Sequence, residues 1–233
     1  MYQGKHILAI VPARGGSKRL PRKNVLPLDG RPLIAWSIQT ALACPLIDAV
    51  LVSTDDPEIA GIAQAEGAEV RMRPASLAQD DTPSLPVFVD ALMHHATPAD
   101  LVLVLQPTSP FRRAADLTLA ITSVVHQQAD ALIAVSKAKL GPEWMLPLGE
   151  GLLRLPSEET LDRIRVQDQQ ALYQPNGYLY VYTRATLLAA TRYAFGPRTL
   201  PLFVPHPHDL DIDDATDFKI AQAISHEFHF HCP

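Results

Sequence analysis

HILAIVPARGGSKRLPRKN, His6 to Asn24, passes from a short apolar run through Pro12 into a glycine-rich loop crowded with cations. A continuous apolar run of that length, ended by a turn signal, reads as a strand buried on both faces. It leads into an Arg- and Lys-bearing loop rather than a small-residue cleavage site, so the reading is a strand and not a leader. Arg14, Lys18, Arg19, Arg22 and Lys23 place five of the chain's 20 basic residues within ten positions. A glycine-rich loop leaving a buried strand turns backbone N–H groups toward an anion, and lysines add point charges for phosphate oxygens. Arg14, Lys18 and Lys23 are the cations for a triphosphate. The spacing is neither GxxxxGK[ST] nor GxGxxG, so the loop is a phosphate site of another kind. The plainer reading is a solvated basic turn.

Outward from this loop, strand and helix signals alternate. Pro32 opens a helix through Ala43, since proline is tolerated in the first turn. Ala49 to Ser53 is a second strand, Pro57 to Glu66 a helix closed by Gly67, and Glu69 to Met72 a third strand. Pro83 to His95 and Arg113 to Gln128 read as helices, Leu101 to Leu105 and Ala131 to Val135 as apolar strands. This order predicts a doubly wound α/β domain, Rossmann-like, with a mainly parallel sheet and ligands at the carboxyl ends of its strands. Between Lys137 and Gln174 the pattern breaks at Pro142, Pro147 and Pro156, which predicts an insertion near 137–175 serving as a dimerisation arm. A strand from Gly177 to Tyr182, with Tyr178, Tyr180 and Tyr182 on one face, and a helix from Asp214 to His226 complete a single domain over 1–233.

Composition sets the class. The chain has 233 residues, 47% hydrophobic and 19% charged, which suits one buried core. No stretch approaches the roughly 18 uninterrupted apolar residues of a membrane span. A net charge of −5 argues against a nucleic-acid partner and makes the basic loop a local feature. Cys44 and Cys232 give no disulfide framework, which fits a cytoplasmic setting.

Two further segments carry chemistry. In QPTSP, Gln106 to Pro110, Ser109 and Pro110 have the types expected at the N-cap and first position of a helix. In DLDIDD, Asp209 to Asp214, the side chains of Asp211 and Asp213 fall on one face of an extended backbone. Two carboxylates on one face repel unless a cation lies between them, and magnesium commonly takes one or two carboxylates with phosphates and water. Asp214, with Asp217 three residues on, is the helix cap. The tail HEFHFHCP, with His226, His229, His231 and Cys232, lacks a confirming ligand set and is set aside.

PARGGSKRLPRKN, STDDPEIA at Ser53 to Ala60, RPASLAQDDTPS at Arg73 to Ser84, LQPTSPFR at Leu105 to Arg112, and NGYLY with DLDIDDATDF resemble, in order, the motifs of the acylneuraminate cytidylyltransferases. That family comprises the CMP-sialic acid synthetases and their legionaminic and pseudaminic relatives. The resemblance implies a magnesium-dependent homodimer that couples CTP to an acidic nine-carbon 2-keto sugar and releases pyrophosphate. It assigns Arg14, Ser17, Lys18 and Lys23 to the phosphates, Asn24 to the ribose, and Arg73 and Ser84 to the cytosine. Arg14, Lys18, Lys23 and Asp211 become the catalytic set, with Asp211 a candidate proton acceptor, and Gln106, Thr108 and Tyr180 line the sugar pocket. Where the family often carries an arginine before PNG this chain has Gln174, which implies a modified sugar or a carboxylate clamp displaced to Arg165. A CMP-Kdo synthetase or other nucleotide-sugar pyrophosphorylase, and a catalytically silent nucleotide-binding regulatory homologue, are the alternatives.

Overall fold

The apolar run read first becomes β1 (Ile7–Pro12), an interior strand of a seven-stranded sheet. The computed structural model describes residues 1–139, 141, 145–149, 152–154, 171–192 and 194–228. In spatial order the sheet runs β11 (Thr199–Phe203), β7 (Ala131–Lys137), β10 (Tyr173–Thr183), β6 (Leu101–Val104), β1, β4 (Ala49–Thr54) and β5 (Glu69–Met72). Every strand points one way except β10, which is antiparallel to both β6 and β7. Two small hairpins stand outside the sheet, β2 (Pro27–Leu28) with β3 (Arg31–Pro32) and β8 (Leu148–Gly149) with β9 (Leu152–Leu153).

Alternate residues of β1 build two cores. Ile7, Ala9 and Val11 pack with Ile34 and Ile38 of α1 (Leu33–Leu42), Ile59 of α2 (Pro57–Ala65), and Leu117 and Ile121 of α4 (Ala114–His126). Leu8 and Ile10 face Val87, Phe88 and Ala91 of α3 (Ser84–His94) and Leu187 of α5 (Arg184–Ala189). With both faces covered, β1 has no use for polar residues, which is why its sequence does not alternate. Each fully buried Ile, Leu or Val contributes about 1.5–3 kcal/mol relative to its exposed state. A third cluster joins Leu28, Leu33, Trp36 and Phe111 to Ile212 and to Ala221 of α6 (Ala215–Phe228). That cluster anchors the segment carrying Asp211 and Asp213 beside the sheet.

From β1 the chain moves to β4 and β5 on one side, whereas β6 lies on the other. The loops leaving β1 and β6 therefore diverge from adjacent parallel strands and open a crevice at their carboxyl ends. β10 enters the sheet at this same edge because it runs the opposite way.

The expected strands and helices up to Ala131 form within a residue or two of their sequence bounds. Three expectations are corrected. Ser109 and Pro110 do not start a helix: Ser109 is fully buried and α4 begins at Ala114 with Arg113 at the N-cap. Tyr178 does not share a face with Tyr180 and Tyr182; it packs in the α1/α4 layer and donates its hydroxyl to Asp116, while the other two face α3. A register shift in β10 between Pro175 and Tyr180, where Gly177 takes φ +77°, turns it over. Finally, β10 begins at Tyr173, inside the expected insertion. Most of that insertion, with Arg165, lies outside the described residues, as do His229, His231 and Cys232.

Candidate functional site

The crevice between the β1 and β6 loops is a cleft of about 610 Å³, within the usual range for a small-molecule site. Arg14, Ser17, Lys18, Lys23 and Asn24 line it from the β1 loop, Arg73 and Ser84 from the β5–α3 side, Gln106 and Thr108 from the β6 loop, and Asp213 from the segment before α6. Residues named from four separate stretches of sequence thus share one cavity.

The basic loop is held from behind by STDDPEIA, whose function the sequence reading left unassigned. Asp56 caps α2, accepting from the backbone N–H of Glu58 at 2.9 Å and of Ile59 at 3.1 Å. Its other oxygen pairs with Arg22, and that arginine, first among several causes, holds the Asp56 carboxyl below its ordinary range. Asp55 accepts from Gly15 N–H at 3.1 Å and lies 3.5 Å from the Arg73 guanidinium. Glycine is required at position 15, because a Cβ there would stand 2.4 Å from Asp56 Oδ2. Asn24, expected at a ribose, donates its amide to the Arg14 carbonyl at 2.9 Å and so braces the loop.

The cations at the mouth face a carboxylate that sequence reasoning missed. Asp80 accepts from Arg14 at 2.8 Å and from Lys18 at 2.6 Å, and Lys18 chiefly draws the Asp80 carboxyl below its ordinary range. One anionic side chain bridging both cations shows what charge their geometry accepts. Lys18 is exposed; Lys23 is not, and its Nζ donates to the Ile212 carbonyl at 2.6 Å and lies 3.8 Å from Asp213. At the far side Arg73 is 8% exposed, burial pushes its guanidinium pKa down, and its Nε has no hydrogen-bond partner among the described residues. A buried donor in that state has room for an acceptor from a ligand or from water.

Asp211 and Asp213 alternate about Ile212, which is buried in the third cluster. Burial, above all, raises the Asp211 carboxyl pKa, with the neighbouring Asp213 charge adding to it and the Thr108 hydroxyl opposing it. Asp211 Oδ1 is buried with no hydrogen-bond partner among the described residues. Asp213 is more open and takes both guanidinium nitrogens of Arg19, at 2.8 and 2.9 Å. Among the described residues no three His, Cys, Asp or Glu side chains gather into a metal cage. An orphaned carboxylate oxygen beside a second carboxylate fits a hard divalent cation such as magnesium, whose other ligands are ligand phosphates and water. Asp213 would have to share its carboxylate with Arg19, or lose that guanidinium, to hold such a cation.

Asp214 stands apart from this pair. Its Oδ1 accepts from Thr216 N–H at 2.7 Å and Asp217 N–H at 3.0 Å, while Asp217 accepts back from Asp213 and Asp214. This reciprocal cap opens α6. Asp214→Asn is expected to leave the melting temperature nearly unchanged and Asp214→Ala to cost about 1 kcal/mol. Equal losses in thermal unfolding would show that charge, not capping, is what position 214 supplies.

A smaller pocket of about 260 Å³ adjoins the cleft and shares Phe88 and Gln106 with it. Tyr180, Tyr182, Phe195 and Arg192 also line it, and the two tyrosine rings stack at 6.2 Å. Tyr180, expected at a sugar, lines this pocket, whereas Thr108 lines only the larger cleft. Gln174 is exposed in β10, paired in register with Ser136, and lines neither cavity.

Residues 8–192 match the cytidylyltransferase family. The chain is 33% identical over 223 residues to an N-acylneuraminate cytidylyltransferase of Escherichia coli, covering 94% of this chain and 52% of that protein. It is 32% identical to the CMP-N,N'-diacetyllegionaminic acid synthase of Legionella pneumophila, covering 94% of this chain and 95% of that one. It is 30% identical to a pseudaminic acid cytidylyltransferase of Campylobacter jejuni, over 96% of this chain and 99% of that one. The chain therefore spans about half the first relative and nearly all of the other two. Among solved structures, a CMP:2-keto-3-deoxy-manno-octonic acid synthetase complexed with CTP superposes with a TM-score of 0.73 at 18% identity, covering 96% of this chain and 99% of that one. A 4-diphosphocytidyl-2C-methyl-D-erythritol synthase from Anaerococcus prevotii follows with a TM-score of 0.67 at 15% identity, covering 97% and 100%. Both share the fold.

Proposed function

The chain belongs to the cytidylyltransferase family, and on that premise we propose that it couples CTP to an acidic nine-carbon 2-keto sugar, releasing pyrophosphate. The observation that carries the reading is the pair of adjoining cavities, one lined by the basic loop and the buried Arg73, the other by tyrosines, joined through Gln106. CTP occupies the larger cleft with its phosphates on Arg14, Ser17, Lys18 and Lys23 and its cytosine toward Arg73 and Ser84. The sugar occupies the smaller one, against Gln106 and Tyr180, within reach of Thr108. Arg192 lines that pocket and suits a carboxylate as Arg165 would.

In this arrangement the anomeric hydroxyl of the sugar attacks the α-phosphorus of CTP in line with the departing pyrophosphate. Positioning and charge neutralisation lower the barrier. The side chains of Arg14, Lys18 and Lys23 offset charge on the leaving group. Asp211 and Asp213 would hold magnesium, which when bound supplies Lewis-acid stabilisation of phosphate oxygens. Asp211 is the candidate acceptor of the hydroxyl proton, because one buried oxygen of its carboxyl has no hydrogen-bond partner among the described residues.

We also read the protein as a cytoplasmic homodimer. Cys44 is a buried free thiol, and Met145, Leu148, Leu153 and Phe203 expose large apolar side chains near the expected arm. Burial of such side chains between two copies would be favourable.

Pyrophosphate release tests the proposal. With sialic, legionaminic, pseudaminic and Kdo-type acids as acceptors, CTP is expected to support turnover with a nine-carbon acid at least about a hundredfold better than UTP. A pocket built to pair the cytosine N4 donor leaves a buried acceptor unpaired when uracil enters. Equal use of CTP and UTP would overturn the cytosine assignment, and turnover of the eight-carbon acid alone would move the chain to the Kdo branch.

A further inference from the structure

Beneath the wall between the two cavities lies Arg112, 4% exposed. Among the described residues no carboxylate forms an ion pair with it. Its donors go instead to neutral acceptors in α1, in β10 and in the loop after β6. Nη2 reaches the Gln106 carbonyl at 3.0 Å, Nη1 the Ser37 hydroxyl of α1 at 3.0 Å, and Nε the Tyr178 carbonyl of β10. Ser37 donates in turn to the Gln106 carbonyl at 3.3 Å, and the guanidinium sits 5.3 Å from the Tyr178 ring centroid. Burying a cation costs free energy that apolar packing would not. A planar fork of fixed donors is one way to lock three backbone segments in a single arrangement.

What the fork holds is Gln106, whose side chain lines both cavities. The other wall of that side chain is equally close: a Cβ on Gly177 would stand 2.9 Å from Gln106 Oε1 and 3.6 Å from Asp211 Oδ2. The amide is thus confined between Gly177 and the two cavities, with its backbone fixed from below.

We propose that Arg112 is a positioning residue. Without touching either substrate, it fixes Gln106 at the boundary between the nucleotide cleft and the smaller pocket, and so sets how the second substrate meets the first. This rests on the reading of the two cavities as nucleotide and sugar sites.

Arg112→Lys keeps the charge and loses the fork. It is expected to raise KM for the sugar acid about tenfold, within the coupling found for residues of one hydrogen-bond network, and to leave KM for CTP within about twofold. Gln106→Ala should do the same, and the double variant should be no worse than the worse single one. Losses that multiply in the double variant would show an ordinary structural role and overturn the proposal. A readout independent of turnover is the Gln106 side-chain amide in the NMR spectrum of the ¹⁵N-labelled protein, assigned by its loss in Gln106→Ala. Arg112→Lys should move it toward the position of a solvent-exposed glutamine, and an unmoved signal would also overturn the proposal. Should that variant fail to fold, Ser37→Ala, which removes one acceptor of the same fork, is expected to shift the same signal. If no sugar acid is turned over, the functional reading fails while the amide signal still decides the role of Arg112.

Discussion

Asp211→Asn is expected to lower turnover by about a hundred- to a thousandfold, the range found when one preorganised electrostatic group is removed from a reacting centre. The geometry separates it from its neighbour. Asp211 is buried, with one oxygen lacking any hydrogen-bond partner among the described residues, whereas Asp213 is more open and paired with Arg19. An asparagine at 211 keeps the shape and offers one oxygen, but it loses the charge that a divalent cation would need. Asp213→Asn is expected to cost less, because Asp213 already shares its charge with a cation, and to show mainly as a higher magnesium requirement. Both substitutions should leave the fold intact. At position 211 the apo protein should be at least as stable as the parent, since burying a carboxylate with an orphaned oxygen works against folding. Steady-state rates across a magnesium titration, with thermal unfolding in EDTA, measure all three effects. If both variants keep the parent's magnesium dependence, the pair is structural and the metal must be held elsewhere.

The sequence made the sheet legible because β1, β4, β6 and β7 are uninterrupted apolar runs between amphipathic helices, and such strands need both faces covered. β11 escaped notice because Pro201 interrupts TLPLF, and proline in a strand reads as a break; at the edge of the sheet it is tolerated. The six residues of α5 are too few to show a helical period. Ser109 misled for a different reason. Cap chemistry is local, whereas here Pro110 and Phe111 make a turn and Arg112 is buried against α1 and β10 before a helix starts at Ala114.

The site divided along the same line. Residues whose type suggests their task were readable: the cations after a strand line one cleft with Asp213, while Asp211, one oxygen of which is buried, does not line it. Asp55, Asp56, Asp80 and Arg112 were not, because each acts on a partner at least 30 positions away or across an element boundary. Nothing in RPASLAQDDTPS distinguishes Asp80 from a solvated acid; only its placement over Arg14 and Lys18 gives it meaning. Asn24 shows the converse, a residue in the expected cavity whose amide is already engaged by the loop it belongs to.

The same contrast between type and placement governs the lysines, which the sequence could not rank. Lys18 is 80% exposed at its side chain and meets Asp80 at the mouth, whereas the Lys23 side chain is 12% exposed and spans from the basic loop to Ile212 and Asp213. Desolvation, the largest influence, lowers the Lys23 ammonium pKa, and the surrounding carboxylates oppose it. A charge in that position is weakly screened and already oriented, so it acts on a phosphate without reorganisation; an exposed charge is screened by water and salt. Lys23→Ala also removes the ties of this side chain to the Ile212 carbonyl and to Asp213. It is expected to reduce kcat/KM for CTP by at least about a hundredfold, and Lys18→Ala by less than about tenfold. Lys23→Arg should recover little, because a planar fork cannot replace a compact ammonium in contact with a single backbone carbonyl. Calorimetric CTP binding alongside steady-state rates distinguishes the two lysines. Equal losses at both positions would mean that net charge over the cleft, rather than the buried contact of Lys23, governs nucleotide handling.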